Sequence, residues 1–449
     1  MFRKLLGYAK GYGVYAILSP LTIVLEVLIE VAIPFLMSVI IDSGINGIPL
    51  SEKEGFVVGL LLKFGFGEKQ GIDLVVSTGV LMVAMACISL LCGASAAYFA
   101  AKAGMGFGKN LRGAMFGKIQ DYSFANVDKF STGSLITRMT TDVNMIQNAF
   151  MMAIRMLVRS PLMFTMAIAM AVDINKKLSL VFIIVGPALL ATLVFIGSKA
   201  HPRFERMFKK YDKFNTSIQE NLISIRVVKA FVRSKHEKEK FRISNDELKA
   251  ASIFAEKLII LNGPVMMVAV YTCIISILWF GSKLIFVGSM QLGDLMSFIT
   301  YVQQILMSLM MISMIFVMSV MARASMKRIC EVLDEEPTIK DDTADENLKV
   351  ENGDIEFKNL TFRYPDGDYD VLKNASFTIR AGENVGIIGK TGSGKTTIVD
   401  LILRTYNVPD GTVFIDGKDI NKISIKSVRA NAAYVPQDNF LFSDTIENN

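Results

Sequence analysis

Residues 384–403 read NVGIIGKTGSGKTTIVDLIL, and the middle of that run, Gly389-Lys390-Thr391-Gly392-Ser393-Gly394-Lys395-Thr396, has the spacing G-x-x-x-x-G-K-[ST]. Glycines let the backbone turn tightly enough for its N–H groups to converge on phosphate oxygens. Lys395 adds a positive charge for the β- and γ-phosphates, and the hydroxyl of Thr396 suits Mg²⁺. A glycine-rich stretch alone is weak evidence, so context decides. An apolar segment at 384–388 reads as a strand and 396–403 as an apolar helix. Strand, loop and helix N-terminus in that order form an anion-binding unit. Gly389, Lys390, Thr391, Gly392, Ser393, Gly394, Lys395, Thr396 and Thr397 are therefore taken as nucleotide-binding, with ATP and Mg²⁺ as the expected cofactors.

Outward from this loop the pattern stays that of an α/β domain. Ile355, Phe357, Leu360 and Phe362 show partial alternation, a strand signature, ending at Tyr364-Pro365. Tyr364 is an aromatic where an adenine ring could stack, although a tyrosine before a turn is more often a packing residue. Downstream, 412–415 reads as a strand closed by Asp416-Gly417. The segment 433–437, Ala-Tyr-Val-Pro-Gln, reads as another strand, delivering Gln437 toward Mg²⁺ or a water molecule.

Upstream of residue 350 the composition changes. The 449 residues are 52% hydrophobic and 20% charged, with a mean hydropathy of +0.42. Ordinary soluble domains are nearer a quarter charged. The apolar surplus lies in six runs long enough to cross a bilayer: 14–41, 74–101, 149–172, 178–196, 259–286 and 295–320. The long connections 102–148 and 199–257 are helical in pattern and rich in Lys and Arg. Basic residues favour the cytoplasmic side, which places the N-terminus, both loops and the nucleotide-binding part there. The membrane helices are expected to continue into the cytoplasm and turn, in the first loop near Ser131–Ser134. A basic helix at 322–333 leads into an acidic linker at 334–347, DEEPTIKDDTADEN, a composition that stays solvated. The domains read as 1–322 (six-helix transmembrane domain with long intracellular loops), 323–349 (helix and linker) and 350–449 (the incomplete N-terminal part of the nucleotide-binding domain). The net charge of +6 is mild, and no clustered basic face suggests nucleic acid. The four cysteines have neither disulfide nor zinc spacing. The first apolar run is too long for a cleavable leader.

Together these residues resemble the ABC transporters, in particular exporter half-transporters of the multidrug type, in which a six-helix membrane domain is fused to a nucleotide-binding domain. The glycine-rich loop matches the family's Walker A. Tyr364, in FRYPDGDYDVL, falls at the adenine-stacking position, and Gln437, in YVPQDNFLFSDTIENN, at the Q-loop, with GTVFIDGKDI between them. STGSLITRMTTDV at 131–143 and ENLISIRVVKAF at 220–231 are similar to the family's two intracellular loops, whose coupling helices press on the nucleotide-binding domains. The resemblance implies a multi-pass protein, placed in the bacterial inner membrane, that pairs with a second half-transporter. RMLVRSPLMFTMAIAMA in the third run favours a heterodimer over a homodimer. The family's signature, Walker B aspartate, catalytic glutamate and switch histidine follow the Q-loop, and the sequence stops at Asn449 before them. A fragment of a longer protein, inactive as an ATPase by itself, is therefore expected.

Ionisable residues inside a membrane are expensive and mark function by default. Glu26 and Glu30 lie one turn apart in the first run; Arg155 and Arg159 do so in the third. With a rise of about 1.5 Å per residue, Glu26 lies about 24 Å and Arg159 about 21 Å below the outer ends of their runs. They are expected to face the bundle interior and pair, as a structural ion pair first and as an attractor of cationic substrates second. Met307, Met310, Met311, Met314 and Met318 form a flexible apolar stripe suited to packing or to varied ligands. Trp279 reads as an interfacial anchor. The expected function is ATP-driven export of an amphipathic small molecule across the membrane by alternating access, with membrane lipid as a further partner. Lipid flipping or peptide export on the same scaffold, and a regulatory or channel-like ATP-binding membrane protein, are the alternatives.

Overall fold

The computed structural model describes all residues except 1, 54, 55, 342–344, 346, 347, 366, 437–440, 442 and 449. The chain divides into two compact units, one of Ala9–Phe107 and Gln147–Arg323, the other of Met1–Tyr8, Gly108–Ile146 and Ala324–Asn449.

Long helices dominate. They are α1 (Gly13–Val39), α2 (Gly71–Gln120), the short α3 (Phe124–Phe130), α4 (Val143–Ile174), α5 (Leu180–Ile223), the short α6 (Ile225–Ala230), α7 (Ser234–Ile260), α8 (Asn262–Phe286) and α9 (Leu292–Asp334). Among the described residues, six helical stretches are long and apolar enough to cross a membrane, and each contains one of the six apolar runs or most of it. The sixth run and the basic helix after it are one continuous α9 rather than two elements, because no proline or glycine interrupts 294–334.

In the first unit, α1 and α9 are joined along a face whose hydrogen bonds follow from one proline. Pro34 has no N–H, so the carbonyl of Glu30 lacks its usual helical donor. Gln304 Nε2 donates to that carbonyl at 3.4 Å. One turn along, Tyr301 Oη donates to Val31 O at 2.9 Å, and Ser297 Oγ to Pro34 O at 2.6 Å. Positions 297, 301 and 304 share a helical face. Around them lie Val27, Val31, Phe298, Val302 and Ile305, all fully buried. Phe298 stacks on Phe182 with ring planes 3° apart and centroids at 6.1 Å. Ile17, Leu21, Val80, Leu90, Ile184 and Val268, by contrast, are exposed, as lipid-facing side chains are.

Where α1 ends, the helix widens over Ile40–Ile45, and its Asp42 is fully buried. Lys53 Nζ reaches Asp42 at 2.6 Å and Asp294 at 3.1 Å. Asp42 also accepts from the Gly293 N–H at 2.7 Å. Only glycine fits at 293, since a Cβ there would lie 2.6 Å from Asp42 Oδ2 and from Ser38 O.

The second unit contains an antiparallel sheet in the order β2-β1-β3-β4, from β1 (Ile355–Phe362), β2 (Leu372–Ile379), β3 (Val413–Ile415) and β4 (Lys418–Asp419). Phe357 sits opposite both Phe377 and Val413. With Leu360, Leu401, Ile415 and Ile420 it forms a small core. Helices α10 (Lys395–Ile402) and α11 (Ile425–Ala430) complete it. The β3–β4 turn is held by Asp416, which accepts four backbone N–H bonds, from Glu351, Asn352, Gly353 and Asp354, at 2.6–3.1 Å. Partial burial opposes ionisation of this carboxyl, but the four donors outweigh it and hold its pKa below the ordinary range.

Two expected strands are not present. Residues 383–390 and 432–436 belong to no helix or strand, and Val385 and Ile388 are exposed. A strand exists through its ladder, and among the described residues no ladder includes either segment. The acidic linker departs from expectation in the other direction. Asp341 binds the buried Arg404 at 3.0 Å and caps the Ile425 N–H at 3.0 Å. Glu335 binds Lys129 at 2.8 Å. These acids thus have specific partners, which composition does not show, although Asp341 stays exposed.

Candidate nucleotide site and intramembrane charge cluster

The glycine-rich loop closes on itself. Gly392 and Gly394 have φ of +82° and +84°, the left-handed region that glycine adopts without strain. Gly394 is doubly constrained, because a Cβ there would lie 2.7 Å from Leu372 Cδ2. At Gly389 a Cβ would lie 2.6 Å from Ser393 Oγ. The Lys395 ammonium donates to Gly389 O at 3.0 Å and Lys390 O at 2.9 Å, so it lies over the loop. Gly394 caps α10, whose first N–H groups carry the positive end of the helix dipole. Thr396 is exposed at the first turn. A glycine-rich loop leading into a helix N-terminus, with a lysine over it, has the chemistry to take a polyphosphate.

Thr397 differs from its neighbours. It is buried, and its hydroxyl shares a 2.9 Å hydrogen bond with Tyr364 Oη. Tyr364 is half-buried, edge-on to Phe362 and to Tyr406, with centroids at 5.2 and 5.0 Å. Beside it opens a cleft of about 300 Å³ lined by Ala125, Asp128, Tyr364, Pro365, Gly367 and Tyr406. Tyr364 and the loop are thus tied through α10, while Gln437 lies outside the described residues.

Tyr406 and Asp128 went unread in the sequence. Tyr406 Oη donates to Asp128 at 2.8 Å, and Phe124 lies 6.4 Å from the Tyr406 ring. Burial, with the Asp128 carboxylate beside it, drives the phenol's pKa well above its ordinary value. Helix α3, which carries Phe124 and Asp128, is capped by Ser123 and Asn126. Asn126 also bonds Glu335 at 3.0 Å, Glu336 O at 2.9 Å and the Thr338 N–H at 3.1 Å. Tyr122 Oη reaches Val332 O at 2.6 Å, and burial, then the charge of Glu335, raises its pKa to about 12. A short helix in the first basic loop is thereby fastened to the end of α9 and to the nucleotide-binding head.

In the other unit, Arg159 spans the acidic pair. It bonds Glu26 through one terminal nitrogen and Glu30, at 2.8 Å, through the other. Gly93 of α2 gives Glu26 room, since a Cβ there would lie 2.9 Å from its carboxylate. Arg155 takes no part in this cluster. Between α4 and α9 lies a shallow cleft of about 40 Å³ lined by Met152, Met156, Met311, Met314 and Met318, with alanines, Ile315 and Ser319.

Comparison with known proteins supplies the context. The family model described as the ABC transporter transmembrane region matches residues 16–324, and that described as ABC transporter matches 372–449. The uncharacterized ABC transporter ATP-binding protein YfiB of Bacillus subtilis is 34% identical over 448 residues, 100% of this chain and 74% of that protein. The uncharacterized ABC transporter ATP-binding protein Rv1273c of Mycobacterium tuberculosis is 34% identical over 84% of this chain and 65% of its own length. The probable multidrug resistance ABC transporter ATP-binding/permease protein YheI of Bacillus subtilis is 31% identical over 76% of this chain and 58% of that protein. The chain thus spans between about three-fifths and three-quarters of these relatives.

Proposed function

Since the chain belongs to the ABC transporter family, we propose that it is one half of a dimeric ATP-driven exporter of amphipathic small molecules, with a second half-transporter, different in sequence, as its partner. The bond network around α3 carries this reading. The loop between the second and third membrane helices holds the head's Tyr406 through Asp128 and the end of α9 through Tyr122 and Asn126. In this reading, movement of the head is passed into this loop and the end of α9. The name of YheI supports multidrug-type export.

In this mechanism the N–H groups of 389–397 and the Lys395 ammonium bind the phosphates of ATP, and Tyr364 stacks on the adenine. Thr397 contributes through its backbone, its hydroxyl being held by Tyr364. Thr396 and Gln437 would hold Mg²⁺, which screens phosphate charge. ATP binding favours the conformation in which two heads meet, and only by its differential affinity for that state. Asp128 and Tyr406 pass the change to α2 and α4, opening the cavity outward. The N-terminus and head lie on the cytoplasmic side of a bacterial inner membrane.

The test is movement of anionic, neutral and cationic fluorescent amphiphiles across inside-out vesicles from cells expressing the protein with its partner. At least one class should move with ATP and none with Lys395→Ala. If the wild type binds ATP yet moves none, the export reading fails.

A further inference from the structure

The charges on the third membrane helix are not equally satisfied. Both terminal nitrogens of Arg159 are engaged by Glu26 and Glu30. Arg155, one turn away, makes no hydrogen bond or ion pair with any described residue. An arginine keeps its proton, so it cannot relieve this by becoming neutral. A positive charge on a membrane helix without a counter-ion is costly, and such residues mark ligand pathways.

Arg155 is not itself in the wall of the apolar cleft, but its helical neighbours are. Met152 and Met156, which line it, flank Arg155 in sequence. Residues three apart are neighbours on a helix surface, so Arg155 and Met152 sit side by side. Across the cleft, Met311 and Met314 are exposed. Thioether side chains are flexible and polarisable and fit varied apolar bodies. An unpaired guanidinium at the edge of a methionine-lined groove has the complementarity of one ligand type, an apolar body ending in an anionic group. A guanidinium fork matches a carboxylate in two parallel hydrogen bonds.

We propose that Arg155 and the methionine cleft form the binding site for an anionic amphiphile, a single-chain carboxylate type, and that such compounds are substrates of this transporter. The substrate assignment rests on the export reading above; the binding site does not. Attraction of cations by Glu26 and Glu30 is disfavoured because Arg159 already lies across both carboxylates, and a cation would have to displace it.

The experiment uses the full protein in phosphatidylcholine nanodiscs with three photoreactive probes of one alkyl chain length, ending in a carboxylate, an alcohol or an amine. Cross-links are mapped by mass spectrometry. The carboxylate should label 149–156 and 311–319 at least ten times more than the alcohol or amine. Arg155→Gln should remove that preference and Arg155→Lys should keep most of it. ATP photolabelling of each variant checks that it is folded. Equal labelling by the three probes, preference for the amine, or an unchanged Arg155→Gln overturns the proposal. Loss of labelling when a small fraction of phosphatidylglycerol is added also overturns it, assigning the site to bilayer lipid. Specific labelling by a protein that moves no amphiphile with ATP would defeat the export reading alone; ATP-driven movement without labelling at this face would defeat the site alone.

Discussion

A buried charge is retained only where its partner is supplied, and the two residues best placed to show this are Glu26 and Arg159. Breaking a buried pair leaves an uncompensated charge and costs about 3–5 kcal/mol; water reaching Arg159, 31% exposed, and Glu30, 36% exposed, reduces that figure. Glu26→Arg alone places two guanidiniums against Glu30, and Arg159→Glu alone gathers three carboxylates. Each should lower the yield of folded, monodisperse protein several-fold. The double swap leaves one guanidinium between two carboxylates, because positions 26 and 30 are one helical turn apart, and yield should recover most of the way. If the double swap behaves like either single change, direct pairing is not what these residues do. The pairing was foreseeable because depth along a helix is a linear function of residue count. The involvement of Glu30 in the same guanidinium was not, since which nitrogen meets which carboxylate depends on side-chain geometry.

Among the elements, α1 and α9 show how a helix-breaking residue becomes a contact. In lipid there is no water to satisfy a freed carbonyl, so a neighbouring helix must do so. Gln304 answers the carbonyl that Pro34 releases, and Tyr301 and Ser297 extend the seam. Tyr301→Phe removes one buried hydroxyl with little change in volume. The expected loss is about 0.5–1.5 kcal/mol, toward the lower end for a hydrogen bond between membrane helices. It should appear as a lower thermal unfolding midpoint in detergent. An unchanged midpoint would mean that ring packing against the helix, and not the hydrogen bond, holds this seam. The helices themselves were plain from apolar run length, within a few residues at most ends. The strands at 384–388 and 433–437 were not, because a strand needs a neighbour and a linear pattern does not report whether one is there.

For the molecule as a whole, a transporter must couple nucleotide binding in its head to its membrane helices. Tyr406→Phe removes the hydroxyl bonded to Asp128 and leaves the ring that packs on Tyr364 and Phe362. Under the proposed mechanism ATP photolabelling should stay within about twofold of wild type, and transport driven by ATP should fall by roughly tenfold, the effect of losing 1–2 kcal/mol of coupling. Equal losses of labelling and transport would make Tyr406 part of the nucleotide site rather than of the link. Taken alone, the sequence determined the six membrane helices, the phosphate loop and their order along the chain, because run length and glycine spacing are local properties. Only the tertiary structure decided that Asp341 and Glu335 have specific ion-pair partners, that Asp128 meets Tyr406, that Lys53 lies between Asp42 and Asp294, and that Arg159 is satisfied while Arg155 has no partner among the described residues. Each of these depends on side chains far apart in the chain meeting at hydrogen-bond distance, and no local pattern encodes that.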